Sequence, residues 1–273
     1  VDASYISDKN QTINSPMRVV NQNLGIKTTA KSVLVIDKET QTQLYQKNKD
    51  LVLPIASLTK LMTAIVFLEN NPDWDKVVEI TQEDQREGNI VYLLPGEKVL
   101  VRDLFKLSLI ASSNEATVAL VRSTGLENFT ALMNQRGYEL GLRNTTFFEP
   151  TGLDHRNVSN ATDLIMLARA AFAFEDIANA VKNNQISFNT RQGRLVEAKS
   201  TNQLLNRYIN QGQYKIIGAK TGYLDEALYC LLVEVKNGEQ NLVLAILGSA
   251  SQEDRWQEAK GLIDWVFENY QWP

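Results

Sequence analysis

The segment PIASLTKLMTAIV, residues 54–66, sets a hydroxyl and an amine at the head of an otherwise apolar run. Ser57 and Lys60 are three residues apart, so on a helix they share a face on neighbouring turns. A serine hydroxyl becomes a useful nucleophile only when a base takes its proton. A lysine can be that base only if its pKa falls toward neutrality, which burial, a second cation and the positive end of a helix all favour. Backbone N–H groups at the same first turn could stabilise an oxyanion. Alone, the pair leaves two readings open: the polar end of an ordinary core helix, or a nucleophile with its base. Roughly one S-x-x-K is expected by chance in a chain of this size.

Two further clusters could complete such chemistry. Ser112-Ser113-Asn114 interrupts two apolar helical runs, where buried polar groups need a reason to be present. A hydroxyl and an amide there could relay a proton to a leaving amine and hydrogen-bond a substrate carbonyl. The S-x-N pattern recurs at Ser187–Asn189 and Ser200–Asn202, so position, rather than pattern, selects Ser112 and Asn114. Lys220-Thr221-Gly222 ends the strand-like run YKIIGAKTG. A cation and a hydroxyl on a strand edge suit a carboxylate-bearing substrate, and Gly222 lets a substrate backbone approach. Each cluster has an ordinary structural explanation. Their combination, in the order S-x-x-K, S-x-N, K-T-G, is the stronger signal.

The elements that must position these residues follow from the pattern. SVLVID (32–37) and TQLYQK (42–47) flank a short polar stretch and read as a β-hairpin. A helix over about 57–70 is apolar nearly all round, as a fully buried helix is, and Asn70-Asn71-Pro72 stops it. Residues 73–100 read as loop with short extended pieces. Helical runs follow on either side of 111–114 and over LENFTALMNQRGYELGL. Another helix runs from Asn160, with Asp163 placed for reciprocal capping, to about Phe174. The last third turns to strands: short pieces within 185–205, YKIIGAKTGYL, and a hairpin with Asn237-Gly238 in its turn. Residues 252–269 form a closing amphipathic helix. Strands, helices, strands and a helix in that order predict an α+β fold. Its antiparallel sheet is built from both chain ends and flanked by helices, with a helical subdomain over about 72–180 inserted between the sheet segments. Residues 1–30 read as an extended N-terminal arm before a single domain over 31–273.

Composition bounds the function. At 273 residues, 44% hydrophobic and 22% charged, the chain is globular with a sizeable core. A net charge of −4 argues against a non-specific nucleic-acid binder. No apolar run is long enough to span a bilayer. The single cysteine, Cys230, excludes an internal disulfide, and the single histidine, His155, reads as a solvated loop residue rather than the base of a Ser-His-Asp triad. One His and one Cys make a dedicated metal site improbable. Neither G-x-x-x-x-G-K-[ST] nor G-x-G-x-x-G occurs, so no cofactor is expected. Val1-Asp2-Ala3-Ser4 is not an initiator sequence. A signal peptide could have been removed upstream, and the single cysteine fits the cytosol and the bacterial periplasm equally.

From about residue 30 to the end the chain resembles the low-molecular-mass penicillin-binding proteins, the serine D-alanyl-D-alanine peptidases. The resemblance is carried by IASLTKLMTA, SSNEA, FFEPTGLD, NATDL and the K-T-G strand. Within that family it is most like the D-alanyl-D-alanine endopeptidase branch, the penicillin-binding protein 7 type, since the β-rich C-terminal domain and amphipathic anchor typical of the carboxypeptidase branch do not follow the closing helix. The resemblance implies a DD-peptidase/β-lactamase-like fold, an exported, periplasmic protein with its signal peptide removed, and peptidoglycan peptides as substrates, with β-lactams as covalent inhibitors. It casts Ser57 as nucleophile and Lys60 as general base, with Ser112 and Asn114 shuttling protons and holding the substrate amide. Lys220 would help keep Lys60 unprotonated and, with Thr221, bind the substrate carboxylate. Arg255 falls where the family places a carboxylate-binding arginine, and the N–H groups of Ser57 and Tyr223 would form the oxyanion hole beside Gly222. The chain departs from the family at Ala227-Leu228, where many relatives have Ala-Gly, and at Tyr223-Leu224, where some have His-Thr.

Three alternatives remain. A D-Ala-D-Ala carboxypeptidase would use the same site. A β-lactamase would need a glutamate placed to activate the deacylating water, and the segment ENFTALMN, on a helix just after S-x-N, does not supply one. A non-catalytic β-lactam sensor would be expected to lose a motif residue or carry membrane segments.

Overall fold

In the computed structural model, residues 15–19, 25–86, 90–206, 208–210 and 212–273 are described. The chain is α+β. Its central sheet has five strands, all antiparallel to their neighbours, in the spatial order Tyr214–Leu224, Leu228–Asn237, Gln240–Ser249, Ser32–Asp37, Gln43–Lys47. The first hairpin pairs Val33 with Lys47 and Val35 with Tyr45. The later hairpin joins it through Leu244 opposite Val35, so both halves of the sequence meet in the middle of one sheet. That is the arrangement the order of elements predicts. The later hairpin closes through Gly238-Glu239, with Asn237 still paired to Gln240, one residue beyond the expected turn. Gly238 sits at φ +58, a conformation glycine adopts freely.

Among the described residues seven α-helices surround the sheet: α1 (Lys60–Glu69), α2 (Val101–Ile110), α3 (Asn114–Ser123), α4 (Phe129–Glu139), α5 (Ala161–Ala173), α6 (Glu175–Val181) and α7 (Gln252–Asn269). The sheet is covered on both faces, which explains why its strands read as continuous apolar runs rather than alternating ones. Alternate residues still separate by face. Leu34, Ile36, Leu232, Val243, Ala245 and Leu247 join the core under the helical block. Val33, Val35, Leu231, Val233, Leu242, Leu244 and Ile246 join Trp256, Leu262, Ile263 and Val266 of α7. α1 is buried at every position from Lys60 to Phe67.

Several local expectations need correction. The helix expected from 57 opens as a turn of 3₁₀ helix, Ala56–Thr59, before α1 begins at Lys60. The Asn160 side chain accepts from the Asp163 N–H at 2.8 Å, as a cap should. Asp163, however, turns Oδ2 toward the Asn144 N–H and the Thr145 hydroxyl, tying the helix start to the preceding loop instead of returning the bond. Helix α6 was not foreseen. Phe174 adopts extended backbone between α5 and α6, without the Gly or Pro that would advertise a break. Of the expected N-terminal arm, residues 1–14 and 20–24 lie outside the described residues; Met17–Arg18 pairs antiparallel with Tyr270–Gln271. Among the described residues no helix is long and apolar enough to cross a membrane.

Candidate active site

The three sequence clusters come from three elements that meet at one end of the sheet. The 3₁₀ turn before α1 carries Ser57, the bend between α2 and α3 carries Ser112 and leads into Asn114, and the edge strand Tyr214–Leu224 carries Lys220, Thr221 and Gly222. A cleft of about 670 Å³ is lined by Ser57, Ser112, Asn114, Thr221, Gly222, Tyr223 and Arg255. Lys60 and Lys220 lie directly behind that lining, essentially without solvent exposure. All nine predicted residues are therefore at one place, seven on the wall and two beneath it. His155 is exposed on its loop, away from this lining.

Backbone conformation sets the two serines. Ala56 has φ +47 and Ser112 has φ +59. Non-glycine residues in this left-handed region cost of order 1–3 kcal/mol each, and such strain persists only where surrounding structure enforces it. At Ala56 the enforcement comes from two close approaches. A Cβ on Gly152 (φ +85) would collide with the Ala56 carbonyl, and a Cβ on Gly222 would lie 2.8 Å from the Ile55 carbonyl oxygen and 3.3 Å from the Ser57 nitrogen. Both glycines are thus required by space. The second brings the Ser57 N–H beside the edge strand next to Tyr223. The Ser113 side chain caps α3 by accepting from the Ala116 N–H, which fixes the first turn that presents Asn114.

Lys60 Nζ lies 3.0 Å from Ser57 Oγ, 2.7 Å from Asn114 Oδ1 and 2.6 Å from the Thr151 carbonyl oxygen. Burial lowers its pKa to about 7, against the opposing pull of the Glu149 and Glu115 carboxylates. Lys220 Nζ donates to Ser112 Oγ at 2.7 Å and to the Thr221 carbonyl at 3.1 Å. Its pKa is also pushed well below the ordinary lysine range, first by burial and then by the Lys60 and Arg255 charges. Neither amine forms an ion pair among the described residues. Two buried amines facing one site resist carrying two protons, so each favours the neutral form of the other.

This arrangement suits proton removal from Ser57. A carbonyl oxygen only accepts hydrogen bonds. A neutral Lys60 has two N–H donors and one lone pair. The donors satisfy the Thr151 carbonyl and the Asn114 amide oxygen, which leaves the lone pair for the Ser57 O–H. Arg255, 5% exposed, donates to the Gly222 and Cys230 carbonyls at 3.2 and 3.3 Å and lies over the Trp256 ring, so it braces the K-T-G strand while its guanidinium faces the cleft. Thr221 donates its hydroxyl proton to Thr201 Oγ1 at 2.7 Å. Tyr223 is about half exposed, its ring packed on Tyr229 and its hydroxyl donating to Asp225.

Sequence reasoning missed the loop that holds Lys60 from the far side. Glu149 accepts from the Thr151 N–H and hydroxyl, the Gly152 N–H and Asn157 Nδ2. Asn157, wholly buried, passes its carbonyl to the Ile55 N–H at 3.0 Å. The loop is thereby tied to the nucleophile segment at both ends, and the Thr151 carbonyl is held against Lys60. The quoted FFEPTGLD contains these residues, but the acceptor is a backbone atom and no side-chain type signals it. Thr201 was likewise passed over, because its partner is remote in sequence.

Comparisons with known proteins bear on the family and the fold. The profile of the S11 peptidases, described as D-alanyl-D-alanine carboxypeptidase, matches residues 17–251. The chain is 31% identical over 250 residues to D-alanyl-D-alanine carboxypeptidase DacF of Bacillus subtilis, covering 89% of this chain and 63% of that protein. It is 32% identical over 244 residues to a D-alanyl-D-alanine endopeptidase of Pseudomonas aeruginosa, covering 86% and 76%. Among solved structures, the Streptomyces K15 DD-transpeptidase superposes with a TM-score of 0.79 at 27% identity, covering 90% of this chain and 100% of that one. A D-alanyl-D-alanine carboxypeptidase from Mycobacterium tuberculosis gives 0.81 at 28% identity, covering 93% and 96%. The expected DD-peptidase fold is therefore present, and the chain belongs to peptidase family S11, the D-alanyl-D-alanine carboxypeptidase family.

Proposed function

We propose that the protein is a serine DD-peptidase that cleaves D-alanyl peptide bonds of peptidoglycan peptides through an ester on Ser57. The observation that carries this reading is the Lys60 amine, buried, lowered to a pKa of about 7 and 3.0 Å from the Ser57 hydroxyl. Ser57 Oγ attacks the carbonyl carbon of the penultimate D-alanine while its proton passes to Lys60 Nζ. The oxyanion is stabilised by the N–H groups of Ser57 and Tyr223. The carbon–nitrogen bond then breaks, and the proton reaches the leaving amine through Ser112, whose hydroxyl is held by Lys220. Water, activated by the same lysine, hydrolyses the ester. Asn114 orients Lys60 and reaches the substrate amide, while Thr221 and Arg255 anchor the substrate carboxylate on the leaving side. A β-lactam enters the same path and remains as a stable ester, which makes it a covalent inhibitor. Action on cell-wall peptides places the protein outside the cytoplasm, in the periplasm.

Within this reading we assign endopeptidase cleavage of cross-links, in keeping with the similarity to the Pseudomonas endopeptidase. The Bacillus relative supports carboxypeptidase trimming as the second reading. Incubation with cross-linked muropeptides and with a D-Ala-D-Ala pentapeptide, with products identified by mass, separates the two. Ser57→Ala is expected to abolish both hydrolysis and labelling by a fluorescent penicillin. Stoichiometric labelling that persists in this variant removes Ser57 from the role.

A further inference from the structure

Thr201 lines the cleft beside Thr221 and has no part in the steps above. It follows the strand Leu195–Lys199, and two contacts hold it. Its N–H donates to the Ile110 carbonyl at 3.1 Å, which ties it to the end of α2 just before the bend that carries Ser112. Its Oγ1 accepts the Thr221 hydroxyl proton at 2.7 Å. Thr201 thus bridges the wall that carries Ser112 and the K-T-G strand. A threonine hydroxyl has one proton to donate and two lone pairs. Thr221 directs its one proton at Thr201, so in this arrangement it offers a bound anion only lone pairs. Thr201 accepts that bond and keeps its own proton, for which the described residues hold no acceptor. A hydroxyl that accepts a hydrogen bond becomes a stronger donor.

The charges around this hydroxyl suit an anion. Lys220 donates to the Thr221 carbonyl from behind the lining, and Arg255 donates to the Gly222 carbonyl while its guanidinium faces the cleft. The carboxylates of the lining, Asp225 and Glu226, come instead from the turn after the edge strand ends at Leu224, past the Tyr223 N–H. A carbonyl held by the Ser57 and Tyr223 N–H groups therefore lies between an acidic end of the strand edge and a basic one. Thr201 belongs to the basic end, through Thr221. We propose that Thr201 completes the carboxylate anchor: its hydroxyl donates to the substrate carboxylate on the leaving side, and Thr221 acts on that carboxylate through it, by polarising and aiming the hydroxyl. The inference rests on the Ser57 reading above. It makes Thr201 a determinant of which substrates bind, those with a carboxylate beside the leaving nitrogen. No bond to Thr201 forms or breaks.

Two substitutions test it. Thr201→Val keeps the shape of the side chain and removes the hydroxyl, whereas Thr201→Ser keeps the hydroxyl. The probes are a fluorescent penicillin with its free carboxylate, the methyl ester of the same compound, and whichever of a D-Ala-D-Ala pentapeptide and a cross-linked muropeptide the protein hydrolyses. Rates are taken per molecule that labels at saturation, so an unfolded fraction drops out. Thr201→Cys, whose thiol is only a weak donor, takes the place of the valine variant if that one does not fold. Thr201→Val is expected to lose roughly tenfold in acylation efficiency with the free penicillin, the scale of a hydrogen bond to a charged group, and less than about threefold with the ester. On the peptide its loss should be a raised KM, with kcat within about twofold, as for an interaction made equally in ground and transition states. Thr201→Ser should stay within about threefold of the unsubstituted protein on every probe, since it keeps the donor. Equal losses on acid and ester, no loss on the acid, a peptide loss confined to kcat, or a serine variant as impaired as the valine one each overturn the proposal and leave the Ser57 reading standing. An unsubstituted protein that penicillin does not label overturns the Ser57 reading itself, and this inference with it.

Discussion

The two faces of the central sheet are built from the same strands and do different things. Toward α7, residues such as Val33, Leu231 and Leu244 meet Trp256, Ala259, Leu262, Ile263 and Val266, each with no exposed surface. Toward the helical block, Leu34, Ile36 and Leu232 pack as closely, but the interior there also encloses Lys60, Lys220, Ser112 and Asn114. The backbone beside that second interior holds Ala56, Ser112 and Leu228 at positive φ. The α7 face is mostly apolar, although α7 also buries Arg255 and Glu258 beside the sheet. The other tolerates buried amines and strained turns, each unfavourable by itself, and the burial lowers the Lys60 pKa to about 7 beside the Ser57 hydroxyl. The two buried lysines thus lie on the helical-block side of the sheet, while α7 on the other side adds Arg255 to the rim of the cleft.

Substitutions can break or sharpen that contrast. The largest effect on stability is expected from Leu262→Ala on the α7 face, at about 2–5 kcal/mol for a buried leucine. Chemical denaturation should show this loss, while penicillin labelling of the protein that stays folded proceeds at the normal rate. Lys60→Ala is expected to do the reverse. Acylation should fall by ~100-fold or more, the usual consequence of losing a general base, with a smaller change in stability than Leu262→Ala, because the group removed was itself poorly solvated. Near-normal acylation by Lys60→Ala at neutral pH would end its role as base.

Acidity gives a finer measure. Lys60 keeps its lone pair only above a pKa of about 7, so acylation should decline by about tenfold per pH unit below that value and level off above it. The sign for folding is also fixed. Between about 7 and the ordinary lysine value of 10.5 the unfolded chain holds a proton on this residue that the folded chain does not. Stability from this group therefore rises with pH across that window. A pH-independent labelling rate between 5 and 8 would contradict the assignment. The smallest expected effect is at the turn after the edge strand. Leu228 adopts φ +55, in the left-handed region that glycine occupies freely. Leu228→Gly should relieve the strain and raise stability by about 0.5–1 kcal/mol, visible as a small upward shift in melting temperature.

Much of the site was legible because it depends on local rules. Three residues of helix put Ser57 and Lys60 on one face, polar residues interrupt α2 and α3 where they must, and Gly222 marks a strand edge that another chain segment approaches. The loop over 147–157 was not legible in the same way. The Thr151 carbonyl matters through its position, and Glu149 acts by gathering N–H groups that any acidic residue could gather. Helix α6 escaped notice because Phe174 breaks the chain direction without a breaker residue.

The sequence by itself determined most of the elements and the spacing within each: apolar periodicity built the two hairpins, α1 with its buried run Lys60–Phe67, and the covering α7. It also determined the short-range pair of hydroxyl and amine. Only the tertiary structure decided that this amine meets Asn114 and Thr151, 54 and 91 residues away, and that Lys220 meets Ser112 across 108 residues. The physical reason is that hydrogen-bond spacing is a local property of the backbone. Burial, which sets the charge of Lys60, is produced by every segment that closes around it.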